Sequence, residues 1–322
     1  MVSSIFKKVS RKSKKVINKI SGNGDNAVYK LFPEVLYPIE YPDGETEHSL
    51  LNYLKDFRLD GHIGNELENY LSQDFKRFVY TLNLVSTEDS YGKSLLEIGA
   101  NPYFTSILLE KFTAYNLFYT NYFGSENTVL RQIHRNKNKG EKFEFNFANF
   151  NVDADEVPFS EKFDVVLLCE VIEHLVIDPV LAILNIKKAL KKNGVLILTT
   201  PNVNRLENVA KMIAGANIYD PYSGYGAYGR HNREYNKHEL FMLLSHLGFE
   251  IELMFSSDVH PNLSNNFCSL QKLAEIIQTF KNRELDLGQY IFIKAKNTRE
   301  AKSCKPQWLF RSYPSSDLCD DC

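Results

Sequence analysis

Residues 163–200 read FDVVLLCEVIEHLVIDPVLAILNIKKALKKNGVLILTT. Two nearly continuous apolar runs, FDVVLLC (163–169) and GVLILTT (194–200), bracket a segment, 177–192, whose apolar residues return every three or four positions. An unbroken apolar run marks a strand covered on both faces, and the intervening period marks a helix. Strand, helix and strand in that order form the unit of a parallel sheet. Working outward, SLLEI (94–98), NLFYT (116–120) and FEFNF (143–147) precede this unit, and EIELMF (250–255) and QYIFIKA (289–295) follow it. The expected fold is α/β: a doubly wound, mostly parallel, seven-stranded Rossmann-like sheet with helices on both faces.

Upstream of residue 93, Pro33, Pro38 and Pro42 forbid a long helix, whereas 47–57 and 63–85 have helical periodicity. A helical N-terminal cap over residues 21–90 is expected. Residues 1–20 differ again: Val2, Ile5, Phe6, Val9, Val16, Ile17 and Ile20 recur at helical spacings among lysines. Such a basic amphipathic leader suits an in-plane anchor on anionic lipid. It holds seven of the chain's 38 basic side chains and none of its 40 acidic ones, so the body carries a net charge of −9. An acidic body argues against a nucleic-acid partner.

The composition, 43% hydrophobic and 24% charged, is that of a globular chain of 322 residues. No run of about 18 apolar residues is present to span a membrane, and no secretory signal follows the basic start. Five scattered cysteines do not resemble a disulfide framework. These features together place the chain in the cytoplasm, peripheral at the inner membrane face through its leader. Beyond a main domain at 91–298, residues 299–322 are expected to be a loose tail. Cys319-x-x-Cys322 lacks the further ligands of a closed zinc shell, and no metal site is expected.

In an open α/β sheet the ligand lies beyond the carboxyl ends of the strands, where strand order reverses. After the first strand of this region comes Glu97-Ile98-Gly99-Ala100-Asn101-Pro102. Gly99 permits a tight turn, Asn101 is placed to cap the next helix and Pro102 suits its first turn. Only one glycine of a G-x-G-x-x-G fingerprint is present, which disfavours NAD, FAD and nucleoside triphosphates and favours a ligand without pyrophosphate.

Taken in order, LLEIGANPYF (95–104), NVDADEVPF (151–159), FDVVLLCEVIEHL (163–175), LKKNGVLILTTPN (190–202) and HNREYNKHELFMLLSHLGF (231–249) resemble class I S-adenosylmethionine-dependent methyltransferases. The resemblance spans roughly residues 75–295 and implies that fold, with S-adenosylmethionine as cofactor. It implies that Glu97 and the backbone of Gly99, Ala100 and Asn101 hold the methionine end, the carboxylate anchoring the ammonium group. Asp153 would bond the adenine amino group with Ala154 beside it, and Glu170 with Val171 would form the floor beneath the methyl. Asn121 stands where the family usually carries an acid for the ribose hydroxyls, with Tyr122 next to it. Carboxylates and carbonyls are natural neighbours of a cationic sulfonium.

Methyl transfer to a hydroxyl requires alignment and removal of a proton, for which histidine is the natural base near neutral pH. His174, in the EVIEHL turn, and His231, in RHNREY (230–235), are the candidates, with Arg233 and Tyr235 as acceptor-binding or loop-holding partners. The stretch 215–236 mixes four glycines with Tyr219, Tyr222, Tyr225, Tyr228 and Tyr235, a composition suited to a lid over a polar ring such as a sugar. TTPN followed by a long loop and HNREY resembles methyltransferases of bacterial surface-polysaccharide and lipid-linked glycan synthesis. That resemblance implies O-methylation of a sugar or glycan. A small-molecule or quinone-type methyltransferase, and a non-catalytic methyltransferase-like scaffold at the membrane, stay open as alternatives.

Overall fold

The computed structural model describes residues 37–62, 65–124, 130–219, 224, 226–261, 269–277, 286–309 and 312–319, all within one compact unit, Leu36–Cys322. The expected leader at 1–20, together with Tyr222, Tyr225, Cys268 and Cys322, lies outside the described residues.

Among the described residues the sheet has nine strands rather than the expected seven, in the order β1-β4-β5-β3-β2-β6-β7-β9-β8. Those read from the sequence are β2 (Ser94–Ile98), β3 (Asn116–Asn121), β5 (Lys142–Asn149), β6 (Phe163–Cys169), β7 (Leu190–Pro201), β8 (Phe249–Ser257) and β9 (Tyr290–Asn297). The two additions are β1 (Phe57–Leu59) and β4 (Arg131–Asn136), antiparallel to each other. Strand β4, RQIHRN, buries His134 and Asn136 and shows no apolar alternation, which hid it from a hydrophobic reading.

The sheet is mixed. β5, β3, β2, β6 and β7 are mutually parallel, whereas β4 pairs antiparallel with β5 on one side and β9 with β7 and β8 on the other. Strand order reverses at β2, with β3 on one flank and β6 on the other, so the carboxyl ends of β2 and β6 define the switch point.

The helices are α1 (Glu47–Lys55), α2 (Glu66–Leu84), α3 (Phe104–Phe112), α4 (Pro179–Ala189), α5 (Leu206–Ile213), α6 (Lys237–His246) and α7 (Leu270–Ile277). Three starts have a clear local cause. Thr46 accepts from Ser49 N at α1, Asp178 accepts from Val180 N before Pro179 at α4, and Asn236 and Glu239 form a reciprocal capping box at α6. Helix α2 packs against α3, β7 and β9, and its Phe75, Phe78 and Val79 join Leu95, Val165, Leu167, Ile197 and Phe292 in one core. Each fully buried side chain of this size contributes about 1.5–3 kcal/mol. The region expected to be a helical cap thus also supplies a strand, β1, to the sheet.

The described residues of 299–319 are not loose. Cys304 and Cys319 form a disulfide, contrary to the reading of the cysteines as unpaired. Lys305 Nζ (2.6 Å) and Tyr313 Oη (2.8 Å) both donate to the carboxylate of Asp178, and Leu309 is fully buried. Among the described residues, no helix is long and apolar enough to cross a membrane.

Candidate active site

The loop after β2 is built by backbone bonds. Gly99 N and Ala100 N donate to Thr120 O on β3 at 2.9 and 3.1 Å, and Asn101 N donates to Asn121 Oδ1 at 2.7 Å. Asn101 therefore tethers the loop and does not cap α3, whose first turn follows Tyr103 without a side-chain cap. Gly99 sits at φ 74°, and a Cβ there would lie 2.8 Å from Val171 Cγ2. Only glycine combines that backbone with that closeness.

Beyond this loop a cavity of about 370 Å³ opens at the carboxyl ends of β2, β3 and β6, within the roughly 300–1,000 Å³ usual for small-molecule sites. Of the expected residues, Gly99, Asn101, Asn121, Glu170, Val171, His174 and Tyr228 line it. Asn121 spends its amide on the protein, accepting from Asn101 N and donating to Tyr103 Oη at 2.7 Å. Tyr122, beside it in the cavity wall, meets Tyr228 edge-on at 5.3 Å between ring centres, and Asn151 Nδ2 donates to Tyr228 Oη at 3.0 Å. Another cavity, of about 190 Å³, is lined by Lys93, Asp164 and Lys191 at the amino ends of the strands, the opposite end from the switch point.

Two of the expected cofactor contacts point elsewhere. Asp153 is fully buried, with Oδ2 accepting from Val176 N (2.6 Å) and Ile177 N (2.5 Å) and Oδ1 from Asp178 N (3.0 Å). Its carboxylate is saturated by three amides and organises the turn into α4; Ala154 is exposed beside it. Phe150, Asn151 and Val152 line the cavity at this point instead. Asp153→Ala strands three amides, and we expect a loss of roughly 3 kcal/mol in urea unfolding, from charge-assisted bonds at about 1–3 kcal/mol each. Affinity of the folded fraction for S-adenosylhomocysteine should be nearly unchanged. Unchanged stability with lost affinity would return Asp153 to the adenine.

Glu97 is likewise buried behind the cavity, where Ser106 Oγ donates to it at 2.6 Å. Burial pushes its carboxyl up to about 7 despite the Ser106 bond and Arg77. Glu170, at φ 55°, lines the cavity and accepts from Thr199 Oγ1 at 2.9 Å; burial raises it too, against the pull of Arg77.

Arg77 was not singled out from the sequence. On α2 it is buried, donates from Nε to Asp74 Oδ1 at 3.0 Å and lies 4.7 Å over the Phe78 ring. The readable signal was an Asp-x-x-Arg pair, Asp74 and Arg77, set among Leu71, Phe75 and Phe78 on a face that should be apolar.

The two histidines come together. Their ring centres are 5.0 Å apart. His174 Nδ1 donates to Arg230 O and His231 Nδ1 to Glu234 Oε1, each at 2.9 Å. Burial, then the neighbouring His231, lowers the pKa of His174. Burial disfavours charge on Glu234, but His231 and Arg205 outweigh it and bring its pKa down to about 2. Arg233 and Tyr235, expected as acceptor-binding or loop-holding partners, do not line the cavity. Arg233 binds Glu239 Oε1 (2.7 Å) and Leu309 O, stacking on Tyr235, which is buried. They hold the loop that carries His231.

A mixed α/β sheet with a parallel centre, its cavity at the switch point, a one-glycine turn and carboxylates at the strand ends define a Rossmann-like nucleoside-cofactor enzyme. The chain belongs to the methyltransferase-domain family, whose model matches residues 70–253, more than half its length. It is an S-adenosylmethionine-dependent methyltransferase with an α/β methyltransferase fold. Among solved structures it is similar to a complex of the Haloferax volcanii Trm112 methyltransferase activator with a methyltransferase (12% identity, TM-score 0.47, 81% of this chain and 100% of that chain covered). It is also similar to a Thermotoga maritima SAM-dependent methyltransferase (16%, 0.45, 73% and 95%). No curated protein matches.

Proposed function

We propose that this enzyme O-methylates a hydroxyl of a sugar or glycan. The observation that carries the reading is the paired imidazoles of His174 and His231, set beside a cavity edged by Tyr122 and Tyr228. Aromatic edges suit the flat, partly apolar face of a sugar ring, and a hydroxyl acceptor needs a partner for its proton.

The residues present fit the cofactor. The Gly99 turn leaves no side chain between the loop and Val171, and Glu170 offers a carboxylate inside the cavity. Gly99, Asn151, Val152 and Glu170 would hold S-adenosylmethionine, which supplies an electrophilic methyl on a positively charged sulfur. A cation beside Glu170 favours its ionised form, which burial alone disfavours. His174 stays neutral near pH 7, so its Nε2 lone pair is available where the acceptor's proton must leave.

Incubating the full chain with methyl-labelled cofactor and a panel of nucleotide sugars, lipid-linked glycans, phenols and quinols tests the reading. Label is expected in a sugar hydroxyl. Label confined to a phenol or quinol would replace the acceptor class, and cofactor binding with no acceptor methylated would favour a scaffold.

A further inference from the structure

Three donor atoms from Glu173, His174 and His231 all lie within 4.8 Å of one another. Glu173 is fully buried; its Oε2 accepts from Thr200 Oγ1 at 2.9 Å, but its Oε1 has no hydrogen-bond partner among the described residues and lies 3.9 Å from His174 Nε2. A buried carboxylate oxygen left without a partner is costly and calls for a ligand. Both imidazoles have Nδ1 committed, one to the carbonyl of Arg230 and one to the carboxylate of Glu234, which fixes their tautomers and presents Nε2. An acceptor behind each ring nitrogen is the arrangement that orients metal-bound histidines. Glu234 is itself held by Arg205 and by Asn208 Nδ2 at 3.1 Å.

We propose that Glu173, His174 and His231 bind one divalent transition-metal ion at the wall of the cofactor cavity. Two imidazole nitrogens and one carboxylate oxygen suit zinc, iron, cobalt or manganese better than the all-oxygen cages of calcium or magnesium. Bond lengths of about 2.0–2.2 Å draw the three donors inward by side-chain rotation and leave coordination positions open. The charge would offset the fully buried carboxylate of Glu173. The cysteines supply no such site; the donors come instead from the EVIEHL turn and the HNREY loop.

The use of the site rests on the proposed O-methylation and gives His174 Nε2 to the ion instead of to the acceptor's proton. An acceptor hydroxyl whose oxygen enters an open position gives up its proton more readily. The O–H bond breaks, the electron pair stays on the oxygen held by the cation, and the proton passes to solvent water.

The test titrates metal-free, full-length protein with Co²⁺ alone, followed by calorimetry and visible absorption. One equivalent should bind with nitrogen and oxygen ligand-field bands and no thiolate charge-transfer band. His231→Ala, at a partly exposed position, should weaken binding at least about 100-fold without changing the metal-free melting temperature, with His174→Gln as a second variant. Glu234→Gln, behind the ring, should weaken it about 10–100-fold. No saturable uptake by folded protein, wild-type affinity in His231→Ala, or thiolate bands would overturn the site. S-adenosylhomocysteine binding and sugar methylation measured on the same samples keep the two readings apart. Methylation without cobalt uptake removes the metal and leaves the histidines as direct bases, whereas uptake without sugar methylation removes the acceptor and leaves the metal.

Discussion

Replacing Arg77 by alanine should lower the free energy of unfolding by about 3–5 kcal/mol, the usual cost of removing one partner from a buried ion pair. The guanidinium is buried, bonded to Asp74, and it opposes the burial-raised pKa values of both Glu97 and Glu170. Without it those carboxyls keep protons more tightly in the folded protein. A folded-state pKa raised above the unfolded value gives stability that is present below the unfolded pKa and lost as pH rises through the folded one. For Glu97 that window runs from about 4.5 upward past about 7. The variant's deficit should therefore be smaller at pH 5 than at pH 8 in urea unfolding. Equal deficits at the two values would mean that Arg77 acts through packing on Phe78 rather than through charge.

Gly99→Ala should weaken S-adenosylhomocysteine binding at least about tenfold by calorimetry, equivalent to about 1.4 kcal/mol. Two causes add. A side chain at φ 74° costs about 1–2 kcal/mol in the left-handed region. The new Cβ would also stand 2.8 Å from Val171 Cγ2, so either the loop or the cavity floor moves. Gly99→Ala combined with Val171→Ala relieves the second cause and leaves the first, so partial recovery is expected. No loss in the single variant would show that the turn does not shape the cofactor site.

Much of the fold is legible because the central strands are buried on both faces. FDVVLLC and GVLILTT announce themselves by composition, and the ends of such strands fix where a ligand must lie. Legibility stops where an element's partners are polar or distant. Strand β4 carries Arg131 and Arg135 and buries His134 and Asn136, so no apolar period marks it. Asp153 shows the same limit at the site. A motif can place a carboxylate at a strand end, but not its direction, and here it turns to the amides of residues 176–178. Gly99, Glu170 and Val171 line the cavity because backbone geometry at the strand ends positions them. The pairing of His174 with His231 depends on the loop between α5 and α6, which local sequence does not specify.

The closing segment of the chain reaches back to the catalytic face. Arg233, two residues from His231, is clasped by the carbonyl of Leu309, and Asp178, at the head of α4, receives both Lys305 and Tyr313. Trimming the protein at residue 298, a natural choice for isolating its enzymatic half, would remove these braces along with the Cys304–Cys319 loop. These turns thus behave as a buttress for the imidazole-bearing loop, and whatever loosens them frees Arg233 and the head of α4 first.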